Sequence, residues 1–371
     1  MNVPSVPSRV LILKFWAIGD VLIATPMLAA LRAANPDVHI TWAIDKDYAE
    51  ILRGHPDINT VWALDTKAWR ELLRNGNLLG WWWVTRPLRR QARDGNFDTV
   101  INCHPEKWWS AAICVAPQRV GLYPSRGLPA SHRRYTIPLC RSAPCQESHH
   151  YLNATRALGC PDAKLQLTVG KTPDEKVFLT GFRAQHGLAS NEPYAVIAPF
   201  TTQITKNWTP EGYARIAAEL PHRAPGLRVV LTLGPRDQEA ADALARDIVA
   251  QGGEAPIVAR GTGLREYTAL LRHASVVVCG DTSALHIAAA VGTPYVGIFG
   301  STDPARLAPL AGRGTILYER LPCSPCYNAN CTNVVPLECM TGISPQQVIN
   351  AVVAHLPPEL LRMKRYELFI K

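Results

Sequence analysis

Gly280-Asp281-Thr282-Ser283-Ala284-Leu285-His286, followed by Ala288-Ala289-Ala290-Val291-Gly292-Thr293-Pro294 and Gly297-Ile298-Phe299-Gly300-Ser301-Thr302-Asp303-Pro304, decides the fold of this chain. The apolar run Ser275 to Cys279 reads as a buried strand, and it stops at a turn carrying a carboxylate and two hydroxyls. A helix that begins at such a turn offers free backbone N–H groups to an anion. His286 follows Ser283 by three positions, so both project from one helical face near that end, while the small alanines let the helix press against a sheet. The charge-free run Thr282 to Thr302 also suits a membrane span, but Gly292-Thr293-Pro294 divides it into a helix and a strand. The stretch predicts the nucleotide-binding part of an α/β sheet.

Working outward, the same rhythm recurs on both sides. Val10 to Lys14 reads as a strand, Asp20 to Ala34 as a helix and His39 to Ile44 as a strand, with further strands at Asn59 to Leu64 and Asp98 to Ile101. Between Gly170 and Glu192 the pattern loosens into a charged, proline-containing segment. A second series then starts: strand Tyr194 to Ala198, helix from Pro210, strand Arg228 to Leu233, helix from Arg236, helix Leu264 to His273, strand Tyr295 to Phe299 and helix Ser344 to His355. Two domains are expected, 1–180 and 181–355, with a C-terminal helix over 356–371 packing back toward the first.

At 371 residues, 47% hydrophobic and 19% charged, the composition is that of a globular chain with room for two cores. The apolar run after Arg9 is interrupted by Lys14 and Asp20 and no small-residue cleavage site follows, so it predicts a core strand in a cytoplasmic chain. The formal charge of +9 calls for an anionic partner: nucleotide, phosphorylated lipid or nucleic acid. No helix-turn-helix, zinc-finger or RNP signature accompanies the charge, which argues against nucleic acid.

Lys14-Phe15-Trp16-Ala17-Ile18-Gly19-Asp20, the first strand-to-helix turn, has one glycine where a dinucleotide-binding turn needs three. Asp20 is either the N-cap of a helix starting at Val21-Leu22 or a carboxylate at the sheet edge that takes a proton from an attacking hydroxyl. In the second half, Thr201, Thr202 and Lys206 leave a strand end. Either they form a solvated surface loop, or the lysine supplies the point charge that neutralises a departing diphosphate. Asp237, with Glu239 as the other choice, stands where an acid meets ribose hydroxyls or simply favours a helix N-terminus.

Taken in order, Ile18-Gly19-Asp20-Val21-Leu22, Thr201-Thr202, Lys206-Asn207-Trp208-Thr209-Pro210, Gly280-Asp281-Thr282-Ser283, His286 and Phe299-Gly300-Ser301-Thr302-Asp303-Pro304 resemble glycosyltransferase family nine, the ADP-heptose:lipopolysaccharide heptosyltransferases. The resemblance spans nearly the whole chain. It implies a GT-B architecture, two Rossmann-like domains facing a central cleft, with the lipopolysaccharide inner-core acceptor on the N-terminal half and ADP-heptose on the C-terminal half. It further implies an inverting transfer with Asp20 as general base and Thr201, Thr202 and Lys206 on the diphosphate. Asp281, Thr282, Ser283 and His286 would complete the donor pocket, and Asp237 would contact ribose. The chain departs from the family at Ser283, usually glycine, and at Phe15 and Trp16, where the heptosyltransferase acting first on the core has small hydroxyl residues.

Cys323, Cys326, Cys331 and Cys339 begin with a zinc-like spacing and are otherwise thiols or a disulfide. No two-metal signature is apparent, and transfer without metal or cofactor is expected. Trp69, Trp81, Trp82, Trp83, Arg86, Arg89, Arg90 and Arg93 cluster within one segment. They suit either an anionic inner-membrane surface or a helix with tryptophans inward and arginines in water. Two rival classes stay open: a nicotinamide-dependent oxidoreductase with Asp45 as its ribose acid, and a non-catalytic binder of anionic surfaces.

Overall fold

Val10 to Leu13 are fully buried within β1 (Arg9–Leu13), as a strand covered by helices on both faces requires. In this computed structural model, which describes residues 6–107, 109–124, 128, 130–140 and 145–362, β1 is central to a sheet. The sheet is completed by β2 (His39–Asp45), β3 (Thr60–Leu64), β4 (Thr99–Asn102), β5 (Gln118–Tyr123) and β6 (Ile137–Cys140). All pairings are parallel and the order is β3-β2-β1-β4-β5-β6.

A second parallel sheet contains β7 (Tyr194–Ala198), β8 (Arg228–Thr232), β9 (Ile257–Ala259), β10 (Val276–Gly280), β11 (Tyr295–Phe299) and β12 (Gly314–Tyr318). Its order is β12-β11-β10-β7-β8-β9. Counted from its own first strand, each sheet runs 3-2-1-4-5-6, the doubly wound Rossmann order. The chain divides accordingly into Met1–Thr172 and Pro173–Lys371.

This topology fixes where polar side chains can be useful. Ligands of such sheets bind beyond the carboxyl ends of the strands, where the strand order reverses. Those points lie between β1 and β4, with Leu13 beside Asn102, and between β7 and β10, with Ala198 beside Cys279.

Three local expectations change. The segment read as one helix from Asp20 to Ala34 is two, Ile18–Ala24 and Pro26–Ala34, because Pro26 has no N–H to continue the first and instead opens the second. Asp20 is not an N-cap: the helix begins earlier, after Ala17, and no side chain caps it. The loosened segment around 170–192 contains the helix Asp174–Gln185. Glu175 in its first turn is buried against Arg265 (3.1 Å) and Arg272 (2.9 Å), which explains a charged face in a packed helix. Of the C-terminal helix expected over 356–371, Pro358–Arg362 is helical, and 363–371 lies outside the described residues.

Candidate active site

At the reversal point of the second sheet, Asp281 follows β10 and is almost fully buried. Its Oδ2 accepts from Lys206 Nζ at 2.7 Å and from the Thr302 hydroxyl at 2.9 Å. Thr302 comes from the end of β11 and Lys206 from the single 3-10 turn Ile204–Lys206 after β7, so three strand ends meet on one carboxylate. Gly280 permits the approach: a Cβ there would lie 2.8 Å from the Lys206 carbonyl oxygen. The lysine is thereby held at the sheet edge instead of waving in solvent.

Thr201 belongs to the same loop. Its N–H donates to Asn207 Oδ1 (3.0 Å), its hydroxyl donates to the Gln203 carbonyl (2.6 Å), and Thr202 beside it is exposed. Thr282 caps the helix Ser283–Val291, accepting the Ala284 N–H at 3.3 Å. Ser283 is half-buried at the first helical position and His286 is buried one turn on. Asp237 precedes helix Gln238–Ala250, and its Oδ2 accepts the Gly234 N–H at 3.0 Å, whereas Glu239 is exposed. Thr201, Lys206, Asp281 and Thr282 thus share one edge. An apolar cavity of about 460 Å³ nearby, lined by Phe200, Trp208, Tyr213, Leu244 and Met340 among others, has the wrong chemistry for phosphate.

The reversal point of the first sheet holds a different cluster. Lys14, at the end of β1, is 2% exposed; its Nζ donates to the Trp16 carbonyl and lies 3.6 Å from Asp20, whose side chain is 50% exposed. A buried ammonium therefore backs a solvent-facing carboxylate. Beyond β4, His104 Nε2 accepts the Phe15 N–H at 3.3 Å, which leaves the ring proton of the neutral imidazole on Nδ1. Burial, reinforced by the Lys14 charge, pulls the His104 pKa down to about 4. Trp16 lies against His104 (4.9 Å between ring centroids) and under the Arg70 guanidinium (5.0 Å). Phe15 is fully buried between His104 and Trp109. Phe15, Trp16, Trp109 and His104 thus form one aromatic cluster beside the turn that carries Asp20. Lys14 and Thr302 are the residues that sequence reasoning did not assign; a lysine ending a strand of otherwise apolar residues was the available signal for the first.

Asp45 accepts from the Asp47 N–H (3.0 Å) and from the Thr66 hydroxyl, so both of its oxygens serve local structure and the ribose acid of a dinucleotide site is engaged elsewhere. All ten cysteines are free thiols, and no group of three or more His, Cys, Asp or Glu among the described residues is arranged to hold a metal. The segment containing Cys323, Cys326 and Cys331 braces the site: the Asn328 carbonyl accepts from Thr205 (2.6 Å) and the Tyr327 N–H donates to the Ser301 carbonyl (2.7 Å). The Trp/Arg segment forms helices Thr66–Arg74 and Leu78–Asp94: Trp69 and Trp81 are core, as a helix with tryptophans inward predicts, whereas Trp82 and Trp83 are exposed. No helix among the described residues is long and apolar enough to cross a membrane.

Two Rossmann-order units in one chain, each gathering polar side chains at its reversal point, are the architecture of the GT-B class. The sequence profile of Glycosyltransferase family 9 (heptosyltransferase) matches residues 85–335, and the chain belongs to that family: it is a heptosyltransferase. It is 28% identical to lipopolysaccharide heptosyltransferase 1 of Pseudomonas aeruginosa, over 95% of this chain and 100% of that protein. With lipopolysaccharide heptosyltransferase 3 of Escherichia coli K12 it shares 30% identity over 77% of this chain and 80% of the other. The structure of the Escherichia coli ADP-heptose lps heptosyltransferase II superposes with a TM-score of 0.70 at 19% identity, covering 95% and 99% of the two chains, a likeness of fold.

Proposed function

We propose that this enzyme moves a heptose from ADP-heptose to an inner-core sugar of lipopolysaccharide, inverting the anomeric centre. Asp20 removes the proton from the acceptor hydroxyl as its oxygen attacks the anomeric carbon, and the bond to ADP breaks. Lys206 and the N–H groups opening helix Ser283–Val291 take up the charge that grows on the departing diphosphate. Asp281 and Thr302 fix that lysine, Thr201 and Thr202 bind diphosphate oxygens, and Ser283 and His286 line the donor site beside Thr282. Asp237 is the ribose contact, with Glu239 the alternative on the same helix. The acceptor belongs to the first unit and the donor to the second, the expected boundary near 180 moving to the start of helix Asp174–Gln185. The amphiphilic acceptor sets the place of work, the cytoplasmic face of the inner membrane.

One observation carries this reading: a lysine pinned by a buried carboxylate at a strand-order reversal, in a chain of the heptosyltransferase family. The relatives' names support donor and acceptor, since they specify ADP-heptose and lipopolysaccharide. The test is product analysis by mass spectrometry with a panel of nucleotide sugars and truncated lipid cores, the new linkage being assigned by NMR. A heptose joined to the core with inverted configuration is expected. Transfer from another nucleotide sugar in preference, or retention at the anomeric carbon, overturns the reading.

A further inference from the structure

Helix Leu78–Asp94 buries a narrow stripe, Trp81, Thr85, Leu88 and Ala92, at the four- and three-residue steps of one helical face. Its opposite face is unusual in two ways. The first two turns present Leu78, Leu79 (77% exposed), Trp82 and Trp83 (63% exposed) to solvent. The next turns present Arg86, Arg89, Arg90 and Arg93, all exposed, and the one acid in the helix is its last residue, Asp94, 3.6 Å from Arg90. The Arg86 guanidinium lies 5.1 Å over the Trp82 ring, so the apolar and basic halves adjoin on the same surface. Indoles and leucines left in water are costly, and a patch of this kind marks a site of attachment.

We infer that this face of helix Leu78–Asp94 docks the enzyme on an anionic lipid bilayer, Leu78, Leu79, Trp82 and Trp83 entering the interface while the four arginines meet lipid phosphates. The charge pattern selects this occupant: four cations with a single acid, Asp94 beside Arg90, suit phosphate headgroups, and indole rings favour the boundary between headgroup and acyl chain. The inference deepens the proposed function by naming the surface through which the enzyme reaches an amphiphilic acceptor, and to that extent rests on it.

Vesicle co-sedimentation of the full chain tests it, with phosphatidylcholine alone and with phosphatidylglycerol added, at low and high salt. The wild type should bind the anionic vesicles and not the neutral ones at low salt. The variant with Arg86→Gln, Arg89→Gln, Arg90→Gln and Arg93→Gln should bind at least about tenfold more weakly. Trp82→Ser with Trp83→Ser should abolish the part of binding that survives high salt. Both variants replace exposed side chains, so their thermal unfolding and their turnover of an acceptor stripped of acyl chains should match wild type. A wild type that ignores anionic vesicles, or two variants that bind as wild type does, overturns the inference. So does a dimer in sedimentation velocity that the tryptophan changes dissociate, which assigns the face to a second copy. Vesicle binding as expected with no heptose transfer to any acceptor refutes the proposed function and leaves the surface standing.

Discussion

Lys206 and Asp281 act as one group, and the pairing changes what mutation of either should do. Lys206→Ala removes the cation that the proposal assigns to the diphosphate; Asp281→Asn leaves the cation but releases it from its 2.7 Å anchor. Each should weaken ADP binding in calorimetric titration, the lysine change by about tenfold or more. The double variant should lose less than the two single losses combined, because the second change finds the pair already broken. At the first sheet, Asp20→Asn should lower turnover by about a hundredfold or more while ADP affinity stays put, since an amide keeps the size but cannot take the proton. Near-wild-type turnover would reduce Asp20 to a surface partner of Lys14. These residues were legible because strand-end turns concentrate polar groups in a short stretch. Lys14 and Thr302 were not assigned because their meaning depends on partners brought in by other strands.

Two glycines on either side of the helix Ser283–Val291 separate function from stability at the level of elements. Gly292 closes the helix at φ +82°, where a Cβ meets no neighbour, so Gly292→Ala should cost about 1 kcal/mol in chemical denaturation and leave ADP binding unchanged. Gly280 has ordinary room in φ, but its added Cβ would press on the Lys206 carbonyl at 2.8 Å. Gly280→Ala should therefore displace the lysine loop and weaken ADP binding. Most of the buried strands could be read from their unbroken apolar runs. Helix Asp174–Gln185 could not, because what pays for its buried Glu175 is a pair of arginines about ninety positions away. Nor could the break at Thr25 be placed from hydrophobic periodicity alone, because Val21 to Ala24 and Pro26 to Leu28 are buried on both sides of it and Pro26 alone marks the restart.

At the scale of the molecule, stability should depend on pH through the first unit. His55 is held by Thr168 (2.8 Å) and by the Asp57 N–H (3.1 Å), and burial lowers its pKa to about 4, as it does for His104. Between about pH 6.5 and 4 the unfolded chain then binds more protons than the native one. Native stability is full above pH 6.5 and falls as the pH drops, by at most about 1.4 kcal/mol per pH unit for each histidine. Denaturation measured across that window should show the decline, and His55→Gln should make it shallower. The repetition of one strand order in two contiguous stretches has a further consequence, for how such an enzyme changes over time. Asp20 and the rings clustered on His104 lie wholly within the first stretch, and Lys206, Asp281 and Thr302 wholly within the second. On the proposed reading, with the acceptor taken by the first stretch, change at half-buried Trp16 redraws the set of acceptor hydroxyls while Lys206, Asp281 and Thr302 in the other stretch are untouched.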